Sequence, residues 1–573
     1  CGVRERKLTY DAASMAEAAE SGARWRRWAR WGVPLLVAAL LRLAFIHWFW
    51  LVSFDGLVYG GLAKNLLLHG VYAIPDNAGG VTPTLIRLPG YPLFVAACFK
   101  LFGMEHYTAV MLAQGALDLG ALALLGAAAG RLWGRRAGTW ALWLAALCPF
   151  TANYVATPLS ETLSVDCILL GVYALVRWRL CGRRSLWLVV MGLAAAAASL
   201  LRPDGVLVTA AMVVGVAIPT FGPAGGFCWR RVAWRPALAA GLLAVMPLVP
   251  WTVRNWRVFE VFQPLAPKYA TDPDELAGYG FNHWYKSWAW EFKSTQDIYW
   301  GINSNTITVD DLPARAFDSE QQRAETAAVI YDYNQNTLLT AEQDARFEQI
   351  ARERARAHPL MYHVGLPTAR VADMWLRPRT EMILEQSDWW NVAEHPGESA
   401  FAMGWGLLNL LYIGLGVAGW VRARRVSNEA AAAVAGVLVL YVVLRSLLLM
   451  DMEFSEPRYT LECYPALFLL GACLLGARKK DSEDSSLPFS SNTEMIRVSM
   501  LADELFKNVL YDEEPLFISD EATLWGVAMS DTGEVLERCR NYYGVPVSME
   551  ETQQLPLWKL LRLLDDRRKT QPK

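Results

Sequence analysis

Ten apolar runs, at about residues 33–53, 108–130, 139–157, 160–177, 186–201, 204–220, 237–253, 401–420, 429–450 and 459–477, constrain this chain more than any other feature. A helix of roughly 20 apolar residues crosses a hydrocarbon layer about 30 Å thick, and most of these runs approach that length. The basic residues then fix direction. Arg131, Arg135 and Arg136, then Arg177, Arg179, Arg183 and Arg184, then Arg230, Arg231 and Arg235, then Arg422, Arg424 and Arg425, and finally Arg478, Lys479 and Lys480 fall on the side shared with the cationic stretch from Arg24 to Arg30. Positively charged loops stay in the cytoplasm, which puts both termini inside and the alternate loops outside.

Composition agrees. With 54% hydrophobic residues and 25 Trp, and a mean hydropathy of +0.19, the 573-residue chain reads as a polytopic membrane protein. Its net charge of -2 is divided between the two sides of the membrane and says nothing about partners. Nucleic acid is excluded because Arg and Lys gather at run ends rather than in a stripe with interleaved aromatics. None of the 9 Cys lies between Arg254 and Gly404, and no CxxC or Cys/His spacing occurs, so neither a disulfide framework nor a zinc site is expected. Cys1 is read as a truncated frame, with Met15 as a start.

The expected fold is mostly α: a polytopic bundle of about ten transmembrane helices with a mixed external cap and a small cytoplasmic C-terminal domain. Residues 1–32 form a cytoplasmic segment, and 33–253 the membrane core with a first external loop at 54–107. Residues 254–400 form an external region, 401–480 the last transmembrane helices, 481–491 a polar linker, and 492–573 the soluble domain. Short runs such as 186–201 belong inside the bundle or at a thinned site. The run 91–102, too short to cross, reads as an interfacial helix in the outer leaflet. Amphipathic stretches at 341–357 and 358–375 are placed to rest on the membrane surface. In the tail, 501–510 and 555–565 read as helices, the latter from leucines at helical spacing.

Chemistry gathers at the outer ends of the runs. Asp55 follows the first run directly, with Tyr59, Lys64 and Asn65 after it and then Arg87, Pro89, Gly90, Tyr91 and Pro92. Glu161 stands at the outer end of another run, where a carboxylate between apolar helices needs a partner. Arg202, Arg254 and Arg458 recur at the outer ends of separate runs, the side where positive charge is disfavoured. A phosphate in the outer leaflet would explain all three, because a guanidinium holds two phosphate oxygens at once. Lys64, Arg87, Arg370, Arg377 and Arg379 are second-rank cations. Asp118 and Asp166, inside runs, read as intrabundle structural groups, and His283 and His363 as packing residues.

The stretch from Phe54 to Tyr72, the Arg87-Leu88-Pro89-Gly90-Tyr91-Pro92-Leu93 motif, Pro158 with Ser160 to Leu163, Leu201-Arg202-Pro203, Pro250 to Asn255, and Arg458-Tyr459 with Pro465 resemble GT-C glycosyltransferases of the protein mannosyltransferase and aminoarabinose transferase type. The likeness runs in consistent order over about residues 30 to 478 and leaves out the tail. It implies transfer of a sugar from a polyprenyl-phosphate donor, on the outer face, to a lipid, glycan or protein acceptor, with inversion at the anomeric carbon. It makes Asp55 the general base, since the family places its catalytic acid directly after the first helix, and gives Glu161 a supporting catalytic place. Tyr59, Lys64, Arg87, Arg202, Arg254, Asn255, Arg458 and Tyr459 are the substrate-binding set. Asp55 is followed by Gly56 where many relatives carry an adjacent acidic pair, so no metal ligand is assigned and a divalent cation is the only cofactor left open. An outward-facing site in a bacterial inner membrane follows from sidedness and family together. A transporter or flippase for lipid-linked sugars would show internal repeats with broken helices in corresponding halves, and none is visible. A non-catalytic binder of the same lipid would retain the arginines.

Overall fold

The computed structural model describes residues 30–76, 79–181, 184–218, 233–384, 388–426, 428–477, 493–511, 518–528 and 532–570. The expectations for Cys1 and Met15, the basic residues from Arg24 to Arg27, Arg183, Arg230, Arg231, Arg478 to Lys480, and the linker 481–491 lie outside the described residues.

Each of the ten apolar runs contains helix. In chain order the first part holds α1 (Arg30–Trp48), then α2 (Phe54–His69), strands β1 (Ala73–Pro75) and β2 (Val81–Pro83), α3 (Gly90–Phe102), α4 (Tyr107–Trp133), α5 (Arg135–Ala146), α6 (Pro149–Val155), α7 (Glu161–Leu180), α8 (Ser185–Leu201), α9 (Val206–Ala217), α10 (Trp234–Val245) and α11 (Leu248–Phe259). Helices Pro396–Ala423, Glu429–Leu449 and Tyr464–Leu475 close the bundle. By length and apolarity alone, four described helices can cross a membrane: α1, α4, Pro396–Ala423 and Glu429–Leu449. The pair α10 and α11, bent by 42°, raises the number to five. That is fewer than the ten expected, and the cause is visible in the chain. Proline cannot donate in a helix interior, so Pro149 ends α5 early and restarts it as α6, and Pro247 stands at the bend between α10 and α11. Helix α7 is 20 residues long but carries Glu161, Asp166, Arg177 and Arg179.

The bundle core runs through Leu122, Leu125, Leu142, Leu169, Val172, Leu175, Val437 and Leu469. The opposite faces expose large apolar side chains such as Leu36, Leu40, Leu238, Leu242, Leu407 and Leu447. In water such a surface would be unfavourable; against lipid it is the ordinary outside of an integral membrane protein. Asp118 is structural as expected, for Arg42 Nε donates to its Oδ2 at 2.5 Å with both side chains 2% exposed. Neither oxygen of Asp166 meets a hydrogen-bond donor among the described residues.

Among the described residues, the cap expected as mixed contains strand only in the first loop, where β1 and β2 pair antiparallel with Ala73 opposite Pro83 and Pro75 opposite Val81. The described residues of 254–400 form helices and turns around a core of Phe281, Trp284, Tyr285, Trp288, Ile330, Tyr333 and Phe347. Helix Ala341–Ala357 has the expected bounds, opened by a capping box between Thr340 and Gln343. Its apolar face does not rest on a membrane, because Phe347, Ile350 and Ala351 are buried in the cap core. The exposed apolar groups Leu360, Met361 and Val364 lie just beyond it.

Residues 478–573 form a second compact unit. Within it Leu557, Leu560, Leu561 and Leu564 of helix Leu557–Thr570 pack with Leu505, Phe506 and Val509, so the leucine spacing read from the sequence marks that helix's buried face.

Candidate functional site

Helix α2 opens with Ser53 accepting the backbone N–H of Gly56, which fixes Asp55 in the first turn, where the helix dipole favours a carboxylate. Two arginines from remote loops meet it. Arg87 Nη2 lies 2.7 Å from Asp55 Oδ1, and Arg458 Nη1 lies 3.1 Å from Oδ2. Burial would raise the Asp55 carboxyl, but Arg458 and Arg87 outweigh it and hold the group at about 2.

Arg87 is delivered by a braced hairpin. Tyr72 donates its hydroxyl to the Arg87 carbonyl at 3.0 Å, Asn65 donates to the Ala73 carbonyl at 2.9 Å, and Leu85 N–H donates to Asp272 at 2.9 Å. Gly90 is required where α3 begins, since a Cβ there would stand 2.7 Å from the Leu200 backbone. Arg458 is delivered by the loop before Tyr464–Leu475, which the cap grips. Thr295 donates to the Ser455 carbonyl at 3.0 Å, Ser455 donates to Asp373 at 2.6 Å, and Lys268 lies 2.8 Å from Glu453.

Behind Asp55 lies a continuous charged network. Arg458 Nε is 2.5 Å from Glu456 Oε1 and 3.8 Å from Glu161 Oε1. Glu161, at the start of α7, is 2.6 Å from Arg202 Nη1. Arg202 also reaches Asp204 at 3.2 Å and Glu462 at 3.1 Å, and Arg445 closes the set at 2.8 Å from each of these two carboxylates. The Tyr459 ring sits under the guanidiniums of Arg202 and Arg458, with centroids at 5.3 and 5.5 Å. Tyr59, one turn after Asp55 on α2, is buried edge-on against Tyr91. Burial lifts the Glu456 carboxyl to about 7; Arg458 opposes this, and Asp55 and Glu161 reinforce it.

The structure therefore brings together Asp55, Tyr59, Arg87, Glu161, Arg202, Arg458 and Tyr459, and leaves the other candidates apart. Lys64 stands nine residues along α2 from Asp55, roughly 13 Å by helical rise, and pairs at 2.8 Å with Glu105, the two side chains 40% and 52% exposed. Such a surface pair contributes under about 1 kcal/mol. Lys64→Ala is expected to leave donor turnover within about twofold of wild type; a tenfold loss would return Lys64 to the site. Arg254 is occupied by the first loop rather than open to a phosphate. It donates to the Thr84 carbonyl at 2.7 Å and the Tyr72 carbonyl at 2.9 Å, stacked on Tyr72, Trp251 and Phe259. Asn255 donates to the Gln263 carbonyl at 2.8 Å. Both are clamps. Arg254→Lys loses one of the two carbonyl bonds, at a cost of about 1–3 kcal/mol. Faster proteolytic cutting beside Tyr72 or Thr84 is expected, and unchanged cutting rates would refute the clamp. Arg370 donates to the Lys286 and Ala289 carbonyls, Arg377 stacks on Phe292, and Arg379 donates to the Pro457 carbonyl and to Thr460.

Glu456, Asp204, Glu462 and Arg445 were not singled out from the sequence. Two had a signal: Asp204 follows Arg202 by two residues and Glu456 precedes Arg458 by two. Arg445, a charge inside an apolar run, was a third. Asp55, Glu161 and Glu456 are each engaged by guanidinium. Among the described residues no group of three His, Cys, Asp or Glu is arranged to hold a metal.

Comparison with known proteins finds similarity to part of the chain in one family model. Residues 83–251 match the model described as dolichyl-phosphate-mannose-protein mannosyltransferase. No curated protein matches the chain. Among solved structures, ArnT from Cupriavidus metallidurans bound to undecaprenyl phosphate aligns at 14% identity over 85% of this chain and 82% of its own, with a TM-score of 0.34. The Archaeoglobus fulgidus oligosaccharyltransferase AglB, in complex with an inhibitory peptide and a dolichol-phosphate, aligns at 10% identity over 95% of this chain and 56% of its own, with a TM-score of 0.43. The matched segment holds Arg87, Glu161 and Arg202 and ends at Trp251, three residues before the Arg254 clamp. The similarity to the protein mannosyltransferase family is thus confined to residues 83–251, under a third of the chain.

Proposed function

We propose that this protein transfers a sugar from a polyprenyl-phosphate donor to a hydroxyl or phosphate of a lipid, glycan or protein acceptor at the outer face of a bacterial inner membrane, with inversion at the anomeric carbon. The observation that carries this reading is one carboxylate, Asp55, shared between Arg87 and Arg458. Held so, Asp55 is ionised but weakly basic. A donor phosphate competes for the same guanidiniums, each able to grip two of its oxygens. As they turn to the phosphate, the basicity of Asp55 rises toward that of an ordinary carboxylate, so donor binding prepares the base.

Asp55 then takes the acceptor proton while the acceptor oxygen attacks the anomeric carbon from the face opposite the phosphate. The bond from that carbon to the phosphate oxygen breaks, and its electron pair leaves on polyprenyl phosphate. Arg87 and Arg458 stabilise the charge that gathers there. Glu161, fixed by Arg202, keeps Arg458 in line from behind, and Tyr59 walls the site beside Asp55. The sugar is a hexose or pentose.

The test is a reconstituted assay of the purified full chain with a panel of radiolabelled polyprenyl-phosphate sugars, scoring release of polyprenyl phosphate. Release that depends on Asp55 supports the reading. Donor binding with no release, even with acceptor-containing membranes present, would instead favour a carrier or binder of lipid-linked sugars.

A further inference from the structure

Nine contacts within 4 Å join the charged residues behind Asp55 into one network of five carboxylates, Asp55, Glu161, Asp204, Glu456 and Glu462, and four guanidiniums, Arg87, Arg202, Arg445 and Arg458. One negative charge is in excess before any substrate arrives. A phosphodiester entering at Arg458 adds another, in a place where uncompensated charge is costly.

The five carboxylates are not equally placed to meet that cost. Asp55 is 21% exposed, so water solvates it when Arg87 and Arg458 turn to the phosphate, Glu161 keeps Arg202, and Asp204 and Glu462 are held by both Arg202 and Arg445. Glu456 has Arg458 as its one guanidinium partner among the described residues. Its side chain is 6% exposed, its second oxygen meets no hydrogen-bond donor among the described residues, and its one further side-chain partner among them is the neutral Tyr459 hydroxyl, a weaker support for the anion than a guanidinium. Around it stand Asp55 from α2, Tyr154 from α6, Glu161 from α7, Tyr299 of the cap, and Arg458 and Tyr459 of its own loop. Arg458 is the only fixed cation among these, so losing it leaves Glu456 beside two other carboxylates.

We propose that Glu456 is a proton-linked counter-ion of Arg458, which takes up one proton from solvent when a donor phosphodiester displaces it from the guanidinium. The proton adds to the free Oε2 of Glu456, and no other bond changes. This rests on the reading of Arg458 as a phosphate-holding residue and adds a second role for the loop that carries it. The free Glu456 carboxyl stands at about 7, and loss of Arg458 to the phosphate raises it further. Affinity is therefore full below about pH 7 and falls as pH rises through and above that value, by up to about tenfold per unit.

The experiment is calorimetric titration of the full chain in detergent with farnesyl methyl phosphate. This probe is a phosphodiester and keeps a single charge across the range, unlike polyprenyl phosphate itself. Wild type is expected to bind progressively more weakly from pH 7 to 9, and Glu456→Gln to bind with the low-pH affinity of wild type and no slope. Should the variant fold poorly, titration of wild type at pH 8 in two buffers of different ionisation enthalpy reads the uptake directly, at about one proton per site. Flat wild-type affinity, an unaltered slope in Glu456→Gln, or no binding at any pH overturns the proposal. The radiolabelled release assay separates the two readings. Proton-linked binding without release leaves Glu456's role standing and removes transfer, whereas release with pH-independent binding does the reverse.

Discussion

Asp55→Asn is expected to lower turnover of a polyprenyl-phosphate sugar about a thousandfold, while the donor phosphodiester binds as tightly as to wild type or more tightly. The first part follows because asparagine keeps the size of the side chain but cannot take the acceptor proton, and a positioned base contributes about 10²- to 10⁴-fold. A thousandfold corresponds to about 4 kcal/mol in the barrier. The second part follows from the ion pairs: without the carboxylate, Arg87 and Arg458 lose the anion that competes with phosphate. The two directions together distinguish a base from a structural counter-ion, whose loss would disorder the arginines and weaken binding. Single-turnover rates and phosphodiester titrations on both proteins provide the check. Retention of more than a tenth of wild-type turnover would remove Asp55 from the role of base.

Arg445→Met is expected to destabilise the membrane unit by about 3–5 kcal/mol, the largest stability effect foreseen for a single change. Arg445 lies on helix Glu429–Leu449 and is 1% exposed, and its guanidinium is 2.8 Å from both Asp204 and Glu462, the latter fully buried. Methionine fits the volume but leaves the buried Glu462 and the half-buried Asp204 with Arg202 alone. The double change Arg445→Met with Glu462→Gln removes one of those charges and is expected to recover much of the loss. Thermal unfolding in detergent measures both. A single variant within about 1 kcal/mol of wild type would show that Arg202 suffices, or that the carboxylates are neutral without Arg445.

What the sequence determined by itself is whatever depends on local periodicity and on sidedness. Apolar runs of near-bilayer length located helix at all ten positions, since burial of a run in lipid needs no knowledge of its neighbours. The amphipathic period gave Ala341–Ala357 to the residue, and the leucine spacing near the C-terminus marked the buried face of Leu557–Thr570. Arg202 and Arg458 were singled out, with Arg254, because a cation at the expected outer end of an apolar run needs a reason to be there, and Arg87 was ranked below them from its place in the first loop. The shorter and broken spans were less legible. A proline break or a charged helix such as α7 crosses only if neighbouring helices cover it, and that depends on packing.

Tertiary structure decided the rest. Arg254 and Arg458 looked alike in sequence, each an arginine at the outer end of an apolar run. Folding gives Arg254 to the carbonyls of Tyr72 and Thr84 and gives Arg458 to Asp55, because the hairpin carrying Arg87 docks on the first and leaves the second open to the helix start. Lys64 shares a helix with Asp55 but points to Glu105 on the surface. The face on which Phe347 and Ile350 lie was read as membrane-facing, and the cap core claimed it. Ion pairing across dozens to hundreds of residues, as between Asp55 and Arg458, has no local signature: its energy arises only when the chain has brought both charges out of water to the same place.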